Sequence, residues 1–517
     1  MSDIVTIAVF CGVSWLFFKV LRFGRREDTL PPGPPTVPIL GNAHLLPTKF
    51  PYIKHWGTHY DGIFSLKVLN GAIVVVSDMK TVKELLDDRS AEFASRPVFL
   101  GMDAVTGGRY IVASPAESHF WKITRKVIQP LVSPQAVQKY CPLADMETTQ
   151  LLYDILHEPE ALYNHITRSM LSFITTIVFG QRTSEHDSPI VIAFREYIEQ
   201  IFRVFSPESV PVNFIPALMY VPERWAPWKK MWKKIQAMQC SLYFKLFREV
   251  ERRKRAGMID ECFAAKMLEQ QEDLALERDT IVYICGVLLD GGAETTASFL
   301  QNLILCLVKY PAVLKKAQAE VDNAVGDRLP DSNDIKSMPY VQAIIKETHR
   351  FLPTAPTSIP HASVDDSEYR GYIIPRKTPI LINVYRDLEL YERPEAFWPE
   401  RYLLSPDGTM SGLPDGTGYT RTTLPFGSGK RLCPGMHLAN TNINLAVMRL
   451  LWAFDFASID STAPSTPKWD IENEFVDGIT LSAKPFQCKI TPRSTRKASI
   501  IEKSYKSLRD GFGGQLQ

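Results

Sequence analysis

The chain has 517 residues, 45% of them hydrophobic and 22% charged, with a formal net charge of +2, which fits an ordinary globular protein with a large core. The near-neutral balance gives no electrostatic case for nucleic acid. Eight cysteines, Cys11, Cys141, Cys240, Cys262, Cys285, Cys306, Cys433 and Cys488, are scattered without CxxC spacing, which argues against a disulfide framework or a zinc finger and for a reducing compartment.

In chain order, Ile4 to Phe18 is almost wholly apolar and is followed by Lys19, Arg22, Arg25 and Arg26. The run is short for a membrane span of about 20 residues, but extending it to Phe23 with a snorkelling Lys19 makes it sufficient. The positive charges follow the apolar run, so residues 1–29 read as a single-pass anchor rather than a cleaved signal, with the rest of the chain in the cytosol. Leu30-Pro31-Pro32-Gly33-Pro34-Pro35 then predicts a stiff, extended connector. Gly62 to Val68 and Ala72 to Ser77 read as two strands around a Leu69-Asn70-Gly71 turn.

From about Pro142 to Lys346 the pattern is mostly helical, and the basic run Arg252 to Gly257 reads as a solvated helix end. Thr280 to Lys309 predicts a long helix with an Asp279 or Thr280 cap, stopped by Pro311. It carries Gly291-Gly292-Ala293-Glu294-Thr295-Thr296 in its middle, where two glycines cost about 1–2 kcal/mol relative to alanines. Close packing against a neighbouring helix explains such a pair, and so does a flat ligand lying against the backbone. Glu347 and Arg350 follow at i and i+3 on another predicted helix, a spacing that is common for solvated pairs. Gly371 to Pro375 and Thr378 to Asn383 read as strands, and Ser405 to Thr423 as a surface loop. Leu438 to Trp452 suggests a helix starting just after Cys433. The chain after Pro492 is polar and reads as a loosely ordered tail, 491–517.

The chemistry concentrates at Leu424-Pro425-Phe426-Gly427-Ser428-Gly429-Lys430-Arg431-Leu432-Cys433-Pro434-Gly435. Glycines permit tight reversals, backbone amides of such a turn can face the sulfur, and a following helix favours negative charge at its N-terminus. These features favour a thiolate at Cys433, as metal ligand or nucleophile. The spacing Phe-Gly-x-Gly-x-Arg-x-Cys-x-Gly resembles the haem-binding loop of the cytochrome P450 family. The resemblance extends to the Gly291–Thr296 helix, to Glu347-Thr348-His349-Arg350 with Phe397-Trp398-Pro399-Glu400-Arg401-Tyr402, and to Trp121-Lys122-Ile123-Thr124-Arg125, all in family order between residues 30 and 490.

The resemblance implies a mainly α fold with small β-sheets, and haem b with Cys433 as its axial ligand. A thiolate ligand favours O–O cleavage. It also implies a groove at Gly291 and Gly292, a proton relay through Glu294 and Thr295, and a core network of Glu347, Arg350 and Arg401. Propionate contacts would come from Trp121, Arg125, Arg431 and His361, with Phe426 and Gly435 shaping the haem loop. The expected activity is insertion of one oxygen atom of O2 into a small hydrophobic substrate, in the manner of membrane-bound fungal members that oxidise secondary metabolites. No flavin or nicotinamide motif is visible, so electrons from NADPH would come through a separate reductase at the endoplasmic reticulum membrane, docking on Lys122, Lys126 and Lys430. Candidate pocket residues are Val287, Leu288, Ala355 to Thr357, Phe99, Leu100 and Ile479. The alternatives are a haem-thiolate isomerase or dehydratase working without a reductase, against which Glu294-Thr295 speaks, and a non-catalytic haem- or lipid-binding membrane protein. One stretch departs from the family pattern: Leu381 to Asp387 is a few residues short after Asn383, which bears on folding rather than on the site.

Overall fold

The computed structural model describes residues 22–45, 56–57, 59–205, 211–258, 261–383, 390–405, 424–459, 469–476 and 480–512, with isolated positions at 7, 12, 15 and 408. Residues 1–6, 8–11, 13–14 and 16–21 of the predicted anchor lie outside these, as do residues 384–389 of the shortened stretch, most of the Ser405–Thr423 loop and Ile479. Among the described residues no single helix is long and apolar enough to cross a membrane.

The Pro-rich connector is strapped to the body. Arg26 donates to Gly33 O (2.9 Å), Pro34 O (2.8 Å) and Ser65 O (3.0 Å), and the Ser65 hydroxyl donates to Pro31 O (2.6 Å). The Ser65 amide also donates to Pro32 O (2.7 Å), so the guanidinium fork and one strand residue between them hold the connector's carbonyls.

Strands β1 (Ile63–Val68) and β2 (Gly71–Val76) form the expected antiparallel hairpin. Val68 pairs with Gly71, so Leu69 and Asn70 are the turn's central residues, with Leu69 at φ 55. Gly71 belongs to the strand, one residue off the predicted turn. Helices α1 (Leu100–Thr106), α2 (His119–Val132), α3 (Cys141–His157), α4 (Leu162–Phe179), α5 (Pro189–Ile201) and α6 (Pro227–Arg255) follow. The basic run Arg252–Arg255 closes α6 as expected.

Helix α7 (Arg278–Lys309) spans 32 residues, about 48 Å at the standard rise. It begins at Arg278 after an extended Glu277 rather than at a capping Asp279 or Thr280, and Glu277 makes no side-chain cap bond. With apolar residues on nearly all faces it runs through the core. Two glycines bring it close to neighbours. A β-carbon at Gly286 would stand 2.2 Å from the Tyr243 ring of α6, and one at Gly292 would stand 2.8 Å from Ile174 of α4. Helices α8 (Pro311–Val325) and α9 (Pro339–Phe351) lead to short strands β3 (His361–Ala362), β4 (Ser367–Tyr369), β5 (Tyr372–Ile374) and β6 (Pro379–Ile382). The main sheet has the order β1-β2-β6-β3, with β2 and β6 parallel. Helix α10 (Met436–Ala453) begins three residues beyond Cys433 and runs into β7 (Phe454–Ser458), which pairs with β8 (Cys488–Pro492).

The expected loose tail is instead helix α11 (Thr495–Phe512). Its inner face buries Ile501 completely and stacks Tyr505 on Tyr153 of α3 at 4.0 Å. Lys497 bonds Asp322 of α8 at 2.7 Å, and Arg493, just ahead of the helix, also pairs with Asp322. An apolar stripe at i, i+4 and i+7 within a polar sequence folds this segment once a partner face is supplied.

Candidate active site

The Cys433 loop is pinned from several sides. The Cys433 N–H donates to Phe426 O (2.7 Å), and Gly427 sits at φ 89. Gly429, at φ 55, lies so close to Leu86 that a β-carbon would fall 2.0 Å from its carbonyl oxygen. The Gly429 amide donates to Asp87 Oδ1 and the Lys430 amide to Ser90 Oγ, each at 2.8 Å. Only glycine fits that approach and that backbone. Around the sulfur, burial pushes the thiol above its ordinary value, while a hydrogen bond from the Gly435 amide and the charge of Arg125 pull it down. The turn therefore supplies the features expected to favour a thiolate, but burial outweighs them until a metal takes the proton's place.

Three guanidiniums gather beside the loop. Arg125 of α2 donates to Leu432 O (3.0 Å). Arg431 donates to Ala94 O (2.6 Å) and Ser114 O (2.7 Å), and lies 4.8 Å over the Trp121 ring. Ser118 caps α2 by accepting from Trp121 N–H at 3.2 Å, which sets Trp121 in the first turn and Arg125 one turn on, along the same face. Arg96 was not anticipated. It is 7% exposed and donates to Val112 O (3.0 Å), Ile359 O (2.8 Å) and Pro360 O (2.8 Å). Burial lowers the proton affinity of all three; Arg431 adds to this at Arg96, and Arg431 itself is brought down to about 10. Glu117, which accepts from Ser95 Oγ at 3.2 Å, is the acid that acts on Arg431. Positive charge exceeds negative charge here, so the cluster suits an anion with more than one carboxylate.

His361 lies beside this cluster, 3% exposed, and pairs with Phe93 O through Nδ1 at 2.9 Å. Burial, with help from Arg96, pulls it to about 3. In the tautomer this bond sets, Nδ1 carries the proton and Nε2 is an acceptor. His361 therefore stands next to the expected propionate site, with its Nδ1 committed to Phe93 O.

Behind the loop, Glu347 of α9 is fully buried. It accepts from Arg350 Nη2 (2.7 Å) and Nε (2.8 Å), from Arg401 Nε (3.0 Å) and from the Trp398 amide (2.7 Å). The expected network is thus assembled, with Pro394 and Ala396 carbonyls taking further Arg350 N–H groups. His349, also on α9, has its ring 4.3 Å from Phe299 of α7 and 5.3 Å from Phe426. Burial drops it to about 4, so it is a neutral spacer joining α7 to the cysteine loop.

The adjacent glycines Gly291 and Gly292 of α7 part company. Gly291 is exposed, with nothing within 4 Å of a β-carbon position, whereas Gly292 packs on Ile174. Groove and close packing are both present, one glycine each, and Gly292 leaves the groove assignment. Thr295, one turn beyond Gly291, is exposed on this otherwise buried helix and bonds back to Gly291 O at 2.8 Å. Leu288, half-buried, continues the same face, and Val287 is 6% exposed beside it. The Glu294 carboxylate accepts from Ser298 Oγ (3.1 Å) and Ser482 Oγ (3.5 Å). Asn302 holds Ser482 in place by donating to Leu481 O (2.7 Å) and accepting from Ala483 N–H (2.9 Å). Burial raises Glu294 above the usual carboxylate range, against the pull of the two serines. An acid that keeps its proton nearer neutrality can donate one.

A cavity of about 610 Å³ is lined by Lys346, His349, Ala355, Pro356, Phe426 and Met436 among others, and by none of Gly291, Thr295, Trp121 or Arg125. Ala355 and Pro356, expected as pocket residues, both line this cavity. Phe99 and Leu100 stand at the start of α1, where Asn213 Oδ1 accepts from the Leu100 amide at 2.9 Å.

The sequence model of the cytochrome P450 family matches residues 31–490. A cytochrome P450 monooxygenase of Armillaria gallica is 35% identical over 96% of this chain and 96% of its own length. The cytochrome P450 monooxygenase fogE of Aspergillus ruber is 33% identical over 100% of this chain and 96% of its own, and virE of Hypocrea virens 30% identical over 95% and 90%.

Proposed function

This chain belongs to the cytochrome P450 family, and on that premise we propose that it inserts one oxygen atom of O2 into a small hydrophobic organic substrate, as a membrane-anchored enzyme of fungal secondary metabolism. The observation that carries the reading is a half-buried cysteine on a pinned loop beside three guanidiniums that outnumber the acids acting on them among the described residues. That donor set fits haem: Cys433 would ligate its iron, Arg96, Arg125 and Arg431 would meet its two carboxylates, and the open face at Gly291 and Thr295 would admit a flat ring and a substrate. Bound there, haem supplies reductive activation of dioxygen.

The protein's own part is proton supply and exclusion of water. Burial favours the protonated form of Glu294, the Ser298 and Ser482 hydroxyls, 2.5 Å apart, stand beside its carboxyl as a route for protons, and Thr295 lies on the open face. Membrane placement rests on the apolar run Ile4–Phe18 and its basic flank. Electrons reach the site from an NADPH-dependent reductase, for which Lys122, Lys126 and Lys430 offer an exposed basic face beside the cysteine loop.

The test is reconstitution of the full chain in microsomes with a cytochrome P450 reductase, using extract of a strain lacking the gene as substrate source. Product formation that requires both NADPH and O2 is expected; turnover without them would favour an isomerase. Glu294→Gln should cut product formation by about 10² or more while NADPH oxidation continues. An unchanged product yield would remove Glu294 from proton supply. Reversing Lys122, Lys126 and Lys430 to glutamate should slow reduction by the reductase several-fold at low salt and leave reduction by dithionite intact. Equal rates would place docking elsewhere.

A further inference from the structure

Asp290 stands one residue before Gly291 on α7, is 2% exposed, and is absent from every role above. Its Oδ2 accepts from three phenols: Tyr243 (2.5 Å), Tyr197 (2.8 Å) and Tyr110 (3.3 Å). Gln239 Nε2 donates to the Tyr197 oxygen (2.8 Å), and the Tyr197 and Tyr243 hydroxyls are 3.1 Å apart. These partners come from three separate pieces of chain. Tyr110 lies on the connection between α1 and α2, Tyr197 on α5, and Gln239 and Tyr243 on α6. All of them are buried, and α6 already touches α7 closely at Gly286. One carboxyl thus ties three elements to the helix that carries the reacting face. Its other oxygen, Oδ1, and Gln239 Oε1 have no hydrogen-bond partner among the described residues, which is costly at such burial.

We propose that Asp290 is a positioning residue, the clasp that holds the α1–α2 connection, α5 and α6 over the open face of α7 and sets how readily that cover opens to bulky ligands. The inference rests on the monooxygenase reading for what the cover encloses, but not for the motion itself. The groups acting on the carboxyl are burial, which raises it most, then Tyr243, Tyr197 and Tyr110, which lower it, and Glu294 one turn along α7, which raises it; the balance pushes Asp290 up to about 7. When the cover opens, water reaches the carboxyl and its affinity for the proton falls toward the ordinary value near 4. The closed form therefore binds more protons, and raising pH toward 7 shifts the balance toward opening. Between pH 6 and 8 the open fraction rises by at most about tenfold, and above 8 it levels off.

Two readouts test this. Hydrogen–deuterium exchange of peptides spanning Tyr110 and residues 189–255, corrected for the intrinsic pH dependence of exchange, should show opening up to about tenfold more frequent at pH 8 than at pH 6 in the wild type. Asp290→Asn, which cannot ionise, should abolish that difference. In the haem-loaded full chain, the association rate of fluconazole, a bulky triazole neutral across this range, should follow the same pH profile, while carbon monoxide binding stays flat. A wild-type exchange profile without pH dependence, or one that persists in Asp290→Asn, overturns the proposal. Carbon monoxide rates that move with fluconazole rates overturn it too, by placing the effect at the haem. If Asp290→Asn does not fold, the double variant Tyr197→Phe/Tyr243→Phe decides. Losing two phenols that lower the carboxyl must move the midpoint to higher pH, and an unmoved midpoint rejects the clasp. Failure to bind carbon monoxide would fall on the monooxygenase reading and leave the exchange experiment standing.

Discussion

Cys433→Ala is expected to eliminate the red-shifted Soret band of the reduced carbon monoxide complex and, with it, all NADPH-dependent oxygen insertion. Cys433→His is expected to restore a haem spectrum at most, without the thiolate band, because imidazole does not donate electron density as a thiolate does. The loop itself should survive either change. Its shape is held by the Cys433 amide on Phe426 O, the Gly429 and Lys430 amides on Asp87 and Ser90, and Arg431 on Ala94 and Ser114, none of which uses the sulfur. Alanine at Cys141, Cys240 or Cys488, which are only partly buried, should leave the band unchanged. A thiolate-type band that persists in Cys433→Ala would mean that another cysteine ligates the iron, and the site would have to be redrawn.

Glu347→Gln is expected to be the most destabilising single change outside the ligand. Glu347 is the only acid hydrogen-bonded to Arg350 and Arg401 among the described residues, and the side chains of all three are at most 3% exposed. Removing its charge takes away the acid that both buried guanidiniums share, a change that costs about 3–5 kcal/mol where buried pairs are broken from one side. The carbonyls of Pro394 and Ala396 and the amide of Trp398 hang on the same network, so the chain from 394 to 401 should loosen with it. The expected result is protein recovered with little haem and a sharply lowered thermal midpoint. Arg401→Lys, which keeps the charge but loses the fork, should sit between wild type and Glu347→Gln. A Glu347→Gln protein with full haem content and an unchanged midpoint would show that the network is dispensable.

What was legible in the sequence is what local spacing encodes. The cysteine loop, the Glu347–Arg350 turn and the long glycine-bearing helix are written within a few residues each, and the structure assembles them as expected. Arg96 escaped because its partners Ile359 and Pro360 lie more than 260 residues away, and a lone arginine between Ser95 and Pro97 carries no period. The Asp290 clasp escaped for a related reason: its phenols come from three segments, and the only local sign is an acid inside an apolar run. Gly291 and Gly292 look equivalent on paper, yet 100° of helical turn gives one the open face and the other Ile174. Helix α11 was hidden by its polarity, since the stripe through Lys497, Ile501 and Tyr505 acquires meaning only against α3 and α8.

That last helix also sets an order of assembly. Helix α3 is synthesised in the first third of the chain, yet the face around Tyr153 is covered by Tyr505, and Asp322 receives Arg493 and Lys497, only once the last part of the described chain has been made. During synthesis an apolar flank of α3 and an uncompensated acid on α8 stay open to solvent, where chaperones can bind them. Docking of α11 is thus a closing event on the ribosome's timescale rather than a contact present from the start of α3's synthesis.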